Sequence, residues 1–303
     1  MSSLTTNRPM QSTGKPSRLI ANASGQKSKV LGGNRVGDEV TQNRKPKLPE
    51  PLGFRDGTSS VHTSRTMMLA ELSLVLEHVE KNAKAGEYVS AIVDHNVLGK
   101  PTQTTRKRSY ERLVELYSLD QTRAVFRLLR HFWVTDNAAR PMLVYLAASA
   151  RDTLLRESTP YVIEITLGNS VTPARISQHL SEKYPKRFQE STGLATAQRL
   201  ASSWTQAGYL TGKVNKKRTQ PVVTPVVVTY ALLLGYLCGM RGKMLLDTIW
   251  TRMLDRTSAE IADLATDASK QGWMNYKAAG SVVEITFLGL LTPQEEKASH
   301  EPD

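Results

Sequence analysis

The sequence has a single cysteine in 303 residues. That excludes an internal disulfide and any zinc site built from several thiolates, and it fits a reducing, cytoplasmic setting. Aromatic residues are scarce, at 6%. The six histidines, His62, His78, His95, His131, His179 and His300, are scattered, and none is paired at metal-ligand spacing. No GxxxxGK[ST], GxGxxG, GxSxG or HExxH string occurs, so the short signatures of phosphate loops, dinucleotide folds, serine hydrolases and zinc proteases are missing. Asp94-His95-Asn96 resembles a fragment of a nuclease triplet but lacks the metal motif around it. Glu111, Glu115, Asp152, Glu157 and Glu164 form no acidic dyad on one predictable face. The expectation is a protein with no catalytic residue, no metal and no cofactor.

Acids are also absent before Asp38. Over the whole chain, 40 Lys+Arg stand against 28 Asp+Glu, a formal charge of +12. Such a balance favours an anionic partner, nucleic acid or an acidic membrane surface. Hydrophobic residues at 40% and charged residues at 22% are ordinary for a folded protein, and the length suits one large domain or two small ones.

Residues 1–66 read as a disordered basic tail. They carry Arg8, Lys15, Arg18, Lys27, Lys29, Arg35, Arg44, Lys45, Lys47, Arg55 and Arg65 against Asp38, Glu39, Glu50 and Asp56. With almost no apolar periodicity, such a segment cannot bury enough surface to offset chain entropy. No apolar stretch of secretory-signal length occurs in it. The reading as a tail is preferred to a transit peptide.

Residues 67–160 read as an N-terminal helical domain. Met68, Leu69, Leu72, Val75, Leu76 and Val79 fall at helical spacing. Thr102 or Thr104 can cap a helix running through Leu113 and Leu116, Asp120 can start the next, and 141–155 forms another.

Residues 161–291 read as a winged-helix-like C-terminal domain. The alternation of Val162, Glu164 and Thr166 with Ile163, Ile165 and Leu167 favours a short strand or an extended connection. Thr172-Pro173 opens a helix to Tyr184. A second helix starts at Thr192, carries Leu194, Ala197, Leu200, Ala201 and Trp204 inward, and stops at Gly208. A basic turn at 211–218 follows, and Val222, Val223 and Thr224 return as the second strand of a wing. Helices follow at 226–240, 245–254 and 260–272, then a strand at 281–287, and residues 292–303 form a short acidic tail. The fold class is therefore mainly α, a helical bundle with a winged helix-turn-helix-like module carrying a small β-wing.

Long apolar runs are otherwise few. The 22 residues between Arg218 and Arg241 carry no charge, long enough on paper to cross a bilayer. Pro221 and Pro225 break the run, and Thr219, Gln220, Thr224 and Thr229 dilute it. A buried core helix is expected, not a membrane span, with Cys238 a small buried hydrophobe.

The candidate contacts to double-stranded DNA follow from the wing. Thr192, Thr196, Gln198 and Arg199 would face base edges, since Gln suits adenine and Arg suits guanine. Lys213, Lys216, Lys217 and Arg218 would meet phosphate or the minor groove. A second patch of Lys100, Arg106, Lys107, Arg108 and Arg112, with the hydroxyls of Thr102, Thr104 and Thr105, lies at a helix start, where free N–H groups favour phosphate oxygens. A winged-helix transcriptional regulator and a protein-interaction scaffold without DNA contact are the competing readings.

Leu98-Gly99-Lys100, the Thr-rich link and Thr105-Arg106-Lys107-Arg108 followed by Leu113 resemble the opening of BrxA proteins of the BREX anti-phage systems. So does the later order of a helix to Tyr184, a helix from Thr192 to Trp204, Gly208-Tyr209-Leu210 and a basic hairpin. The resemblance covers roughly residues 67–290; the long basic N-terminus departs from it. It implies a mostly helical, DNA-binding accessory protein without catalytic residues, acting beside other defence-system proteins: a methyltransferase, an ATPase and a phosphatase-like protein.

Overall fold

The computed structural model describes residues 48–300; most of the expected basic tail and the last three residues lie outside them. Single 3-10 turns form at Glu50–Leu52 and Val61–Thr63. Helix α1 is Leu69–His78, and α2, Ala85–Val89, continues into a π turn at Ser90–Asp94. Then come α3 Gln103–Tyr117, α4 Ala124–Phe132, α5 Arg140–Arg151 and α6 Thr153–Glu164. Strand β1 is Ser170–Val171, followed by α7 Pro173–Lys183, α8 Glu190–Ala207, β2 Leu210–Thr211 and β3 Lys216–Arg218. Helix α9 is Pro225–Leu237 and α10, after a 3-10 segment, is Ile249–Arg252. Helix α11 Ser258–Lys270, β4 Asn275–Ala279, β5 Val282–Thr286 and α12 Pro293–His300 complete the order. The protein is mainly helical with two small antiparallel sheets.

Polar caps start several of these helices. Thr102 Oγ1 accepts the Thr105 N–H, Asp152 accepts that of Leu155, Thr172 that of Arg175 and Thr257 that of Glu260. Each satisfies a donor that has no partner inside the helix. Asp120 instead caps a turn, accepting the Thr122 N–H, and α4 begins at Ala124.

Helix α9 is the centre of the core. All its residues from Val226 to Leu237 are buried, on every face, and α4, α5, α10, α11 and α12 pack around it. A helix hydrophobic all round needs such a sheath. Its thirteen residues span about 20 Å, well short of the ~30 Å hydrocarbon thickness. No helix among the described residues is long and apolar enough to cross a membrane.

Several expectations are corrected. The tail is shorter than 66 residues: Leu52, Phe54, Val61 and His62 are buried, and Phe54 packs on Trp250 with ring centroids 5.6 Å apart. These residues insert singly, so no periodicity announces them. Residues 161–164 continue α6 through Pro160 instead of forming a strand. Only Val162 of this stretch is fully buried, and seven alternating residues cannot by themselves distinguish a helix end from a strand. The strand that pairs with the hairpin lies later, at β1. The hairpin's return strand is β3, not 222–224. The C-terminal segment is partly a helix, α12, whose buried Glu295 pairs with Arg127 at 2.5 Å. The boundary drawn between residues 160 and 161 falls inside α6, and one hydrophobic cluster holds residues on both sides of it.

Candidate nucleic-acid interface

Residues 153–218 run helix, strand, helix, helix, hairpin. Strand β3 lies between β1 and β2, antiparallel to both: Ser170 pairs with Lys217, Val171 with Lys216, Leu210 with Arg218 and Thr211 with Lys217. Helices α7 and α8 pack on each other through Ile176, Leu180, Ala197 and Leu200, all fully buried.

Helix α8 has three faces. Ala197, Leu200, Ala201 and Trp204 face the core, as expected. Leu194 does not: it is 41% exposed, one turn from the core stripe near the helix start. The second face is strapped by residues 60–69. Arg199 Nη1 donates to Thr63 O at 2.8 Å, Ser203 Oγ accepts the Met67 N–H at 2.9 Å, and Gln206 Oε1 accepts the Leu69 N–H at 3.1 Å. Positions 199, 203 and 206 line up at helical spacing, so what reads as tail is a strap along α8. Thr196 lies fully buried next to this face, where no base edge reaches it. The third face stays open, with Leu194 and Gln198 exposed and Ser202 half-buried, while exposed Thr192 continues the line of the strapped face toward the helix start.

The hairpin divides its four cations. Gly212 makes the turn at φ +96°, and Lys213 is exposed at the tip. Along β3 side chains alternate between faces: Lys217 points out and Arg218 points in. Lys216 is half-buried, its Nζ donates to Thr205 Oγ1 of α8 at 2.8 Å, and burial lowers its pKa. Arg218 is 2% exposed. Its Nε donates to Val162 O at 2.7 Å, Nη1 to the Tyr209 and Thr219 carbonyls, and Nη2 pairs with Asp255 at 2.5 Å. It is an internal clasp between α6, the hairpin and the segment before α11, and phosphate does not reach it.

The second patch is likewise divided. Lys100 pairs with Glu71 at 3.2 Å. Arg106 donates to the Lys100 and Val93 carbonyls, and Thr105 is spent in the α3 capping box with Thr102. Lys107 and Arg108 are exposed. None of these contacts reaches α8 or the hairpin. Open to solvent, therefore, are Thr192, Gln198, Lys213 and Lys217 in one unit and Lys107 and Arg108 on α3.

A buried relay escaped the sequence reading. Ser203 Oγ lies 2.9 Å from His62 Nε2, and His62 Nδ1 lies 3.0 Å from Asp152 Oδ2. The order is that of a hydrolase triad, but all three are buried and Ser203 Oγ already accepts the Met67 N–H. Asp152 also accepts from Ser60 Oγ and the Val61 and Leu155 N–H groups. Burial works to raise the Asp152 pKa, but His62 and these donors outweigh it and hold the carboxyl down at about 2. The relay fastens the strap to α6 and α8. Separations of 90 and 141 residues gave no local signal for it. Cys238, half-buried after α9, has its thiol pushed up to about 12 by burial. Among the described residues no three His, Cys, Asp or Glu side chains group to hold a metal ion.

No family model matches this chain, and no curated protein matches it.

Proposed function

We propose that this protein is a non-enzymatic DNA-binding accessory protein of a BREX-type anti-phage system, docking on duplex DNA through a winged helix. The observation that carries the reading is the unit from α6 to β3. Its element order and its β1-β3-β2 sheet support reading it as a winged helix-turn-helix, in which α8 would take the recognition position. The open face of α8 with Gln198, and Thr192 at the helix start, would meet the major groove, and Lys213 and Lys217 the backbone. Lys107 and Arg108 add a second phosphate contact. The defence role rests on the BrxA resemblance of the segments around Lys100 and the hairpin.

The test is duplex binding across a salt series, wild type against Lys213→Gln/Lys217→Gln. Each lost phosphate contact flattens the log–log salt slope by about 0.9, so the double variant should lose about 1.8. Arg218 must stay, since its removal would test folding and not contact. No binding at low salt, or an unchanged slope, refutes docking by the wing.

One observation favours a protein-interaction scaffold instead. Leu194 is exposed on α8, while Arg199 and Lys216, the cations nearest the open strip, are spent on internal partners. Under that reading Leu194→Asp abolishes partner capture and the lysine variant does not.

A further inference from the structure

Away from the hairpin, a cleft of ≈340 Å³ opens beside α4, lined by Lys81, Asn82, Gln121, Arg127, Arg130 and His131. Its size lies within the range of small-molecule sites, too confined for a duplex. Three of the six lining residues are Lys or Arg and a fourth is histidine. Arg127 is neutralised by the buried Glu295, to which it donates through Nε and Nη2. Lys81 and Arg130 have no carboxylate at ion-pair distance among the described residues; the nearest acid influence on Arg130 is that of Glu80, with the Tyr88 hydroxyl beside it.

Arg130 is the telling residue. It is 5% exposed. One of its guanidinium nitrogens, Nη2, is held by Val79 O, while Nε is buried with no hydrogen-bond partner. A buried guanidinium N–H without an acceptor is costly, and Arg130 is one of the residues that line the basic cleft. His131 adds to the picture: burial, then Lys81 and Arg127, lower its pKa, so the surroundings repel a further proton and would welcome a negative charge.

We propose that this cleft binds the phosphate group of a small phosphorylated molecule. Arg130 supplies a nearly buried guanidinium, Lys81 an exposed ammonium, and His131, Asn82 and Gln121 further polar groups. Arginine and lysine differ in the way such a site uses: the planar fork orients oxygens, and the ammonium adds a point charge. The cleft also joins distant parts of the chain, because Arg127 holds both Glu295 and the Leu290 carbonyl, so an occupant would brace α4 against the C-terminal helix.

The test uses the full chain and pyrophosphate, with inorganic phosphate and a short duplex as further arms, followed by calorimetry at low and moderate salt. Saturable one-to-one binding of pyrophosphate is expected, weakened about tenfold or more by Lys81→Gln and lost in Arg130→Gln. Because Arg130→Gln can also disturb folding, His131→Gln provides a milder variant and circular dichroism checks both. Lys213→Gln/Lys217→Gln should leave pyrophosphate binding unchanged, which separates this site from the hairpin. Absence of saturable binding at low salt overturns the proposal. So does binding that survives Lys81→Gln and His131→Gln but falls in the hairpin variant, or binding seen only with the duplex.

Discussion

Arg218→Ala is the most informative single perturbation of the fold. The guanidinium bonds the carbonyl of Val162 near the end of α6, two hairpin carbonyls and the carboxylate of Asp255, and it lies over the Tyr209 ring at 5.6 Å. Truncation strands Asp255 and leaves those carbonyls without their donor. Breaking a buried ion pair from one side costs about 3–5 kcal/mol. The Asp255 side chain keeps 17% exposure, so water recovers part of its solvation and the lower end, about 3 kcal/mol, applies. For a domain of this size that corresponds to a drop in Tm of about 6–12 °C. Calorimetry and urea unfolding followed by circular dichroism measure it. The double variant Arg218→Ala/Asp255→Ala should be less destabilised than the sum of the two single variants, because the pair is coupled. Lys217→Ala, the next residue on the same strand, should stay within about 0.5 kcal/mol of wild type. A loss under 1 kcal/mol for Arg218→Ala, or strict additivity in the double variant, would refute the account of Arg218 as a structural clasp.

Two further outcomes follow from the strap and the hairpin. The Asp152 carboxyl is held near 2 against a usual value of 3.8, so its charged form contributes about 2 kcal/mol, fully present above pH 4 and lost as pH falls from there through 2; Asp152→Asn should remove this part of the acid dependence, and parallel profiles for the two proteins between pH 4 and 2 would contradict it. At Gly212, φ is +96° and an added Cβ would lie 2.3 Å from the Asn215 carbonyl oxygen, so Gly212→Ala should destabilise by about 1–3 kcal/mol, whereas Gly86→Ala, with open space at a helical position, should be neutral or stabilising by up to about 1 kcal/mol; equal effects in chemical denaturation would show the turn geometry to be irrelevant.

What the sequence determined by itself is what short-range physics controls. Thr102, Thr172 and Thr257 cap their helices because a side-chain oxygen at that position meets a free N–H a turn ahead, wherever the helix ends up. The apolar stripe of Leu200, Ala201 and Trp204, the stop at Gly208 and the uncharged run ending α9 declared their burial in the same local way. So did the helix-helix-hairpin order. The tertiary structure decided what depends on distant partners. Whether Arg218 or Lys217 faces water is set by the one-residue register of β3 against β1 and β2, and a basic tetrad in sequence carries no sign of that alternation. Residues 60–69 become a strap only because Ser203, Arg199, Gln206 and Asp152 wait 90 to 141 residues from the groups they bond. Arg130 shows the same limit from the other side. Nothing local marks its unpartnered Nε, and the cleft it lines exists only once Lys81, Asn82 and Gln121 have come together with α4.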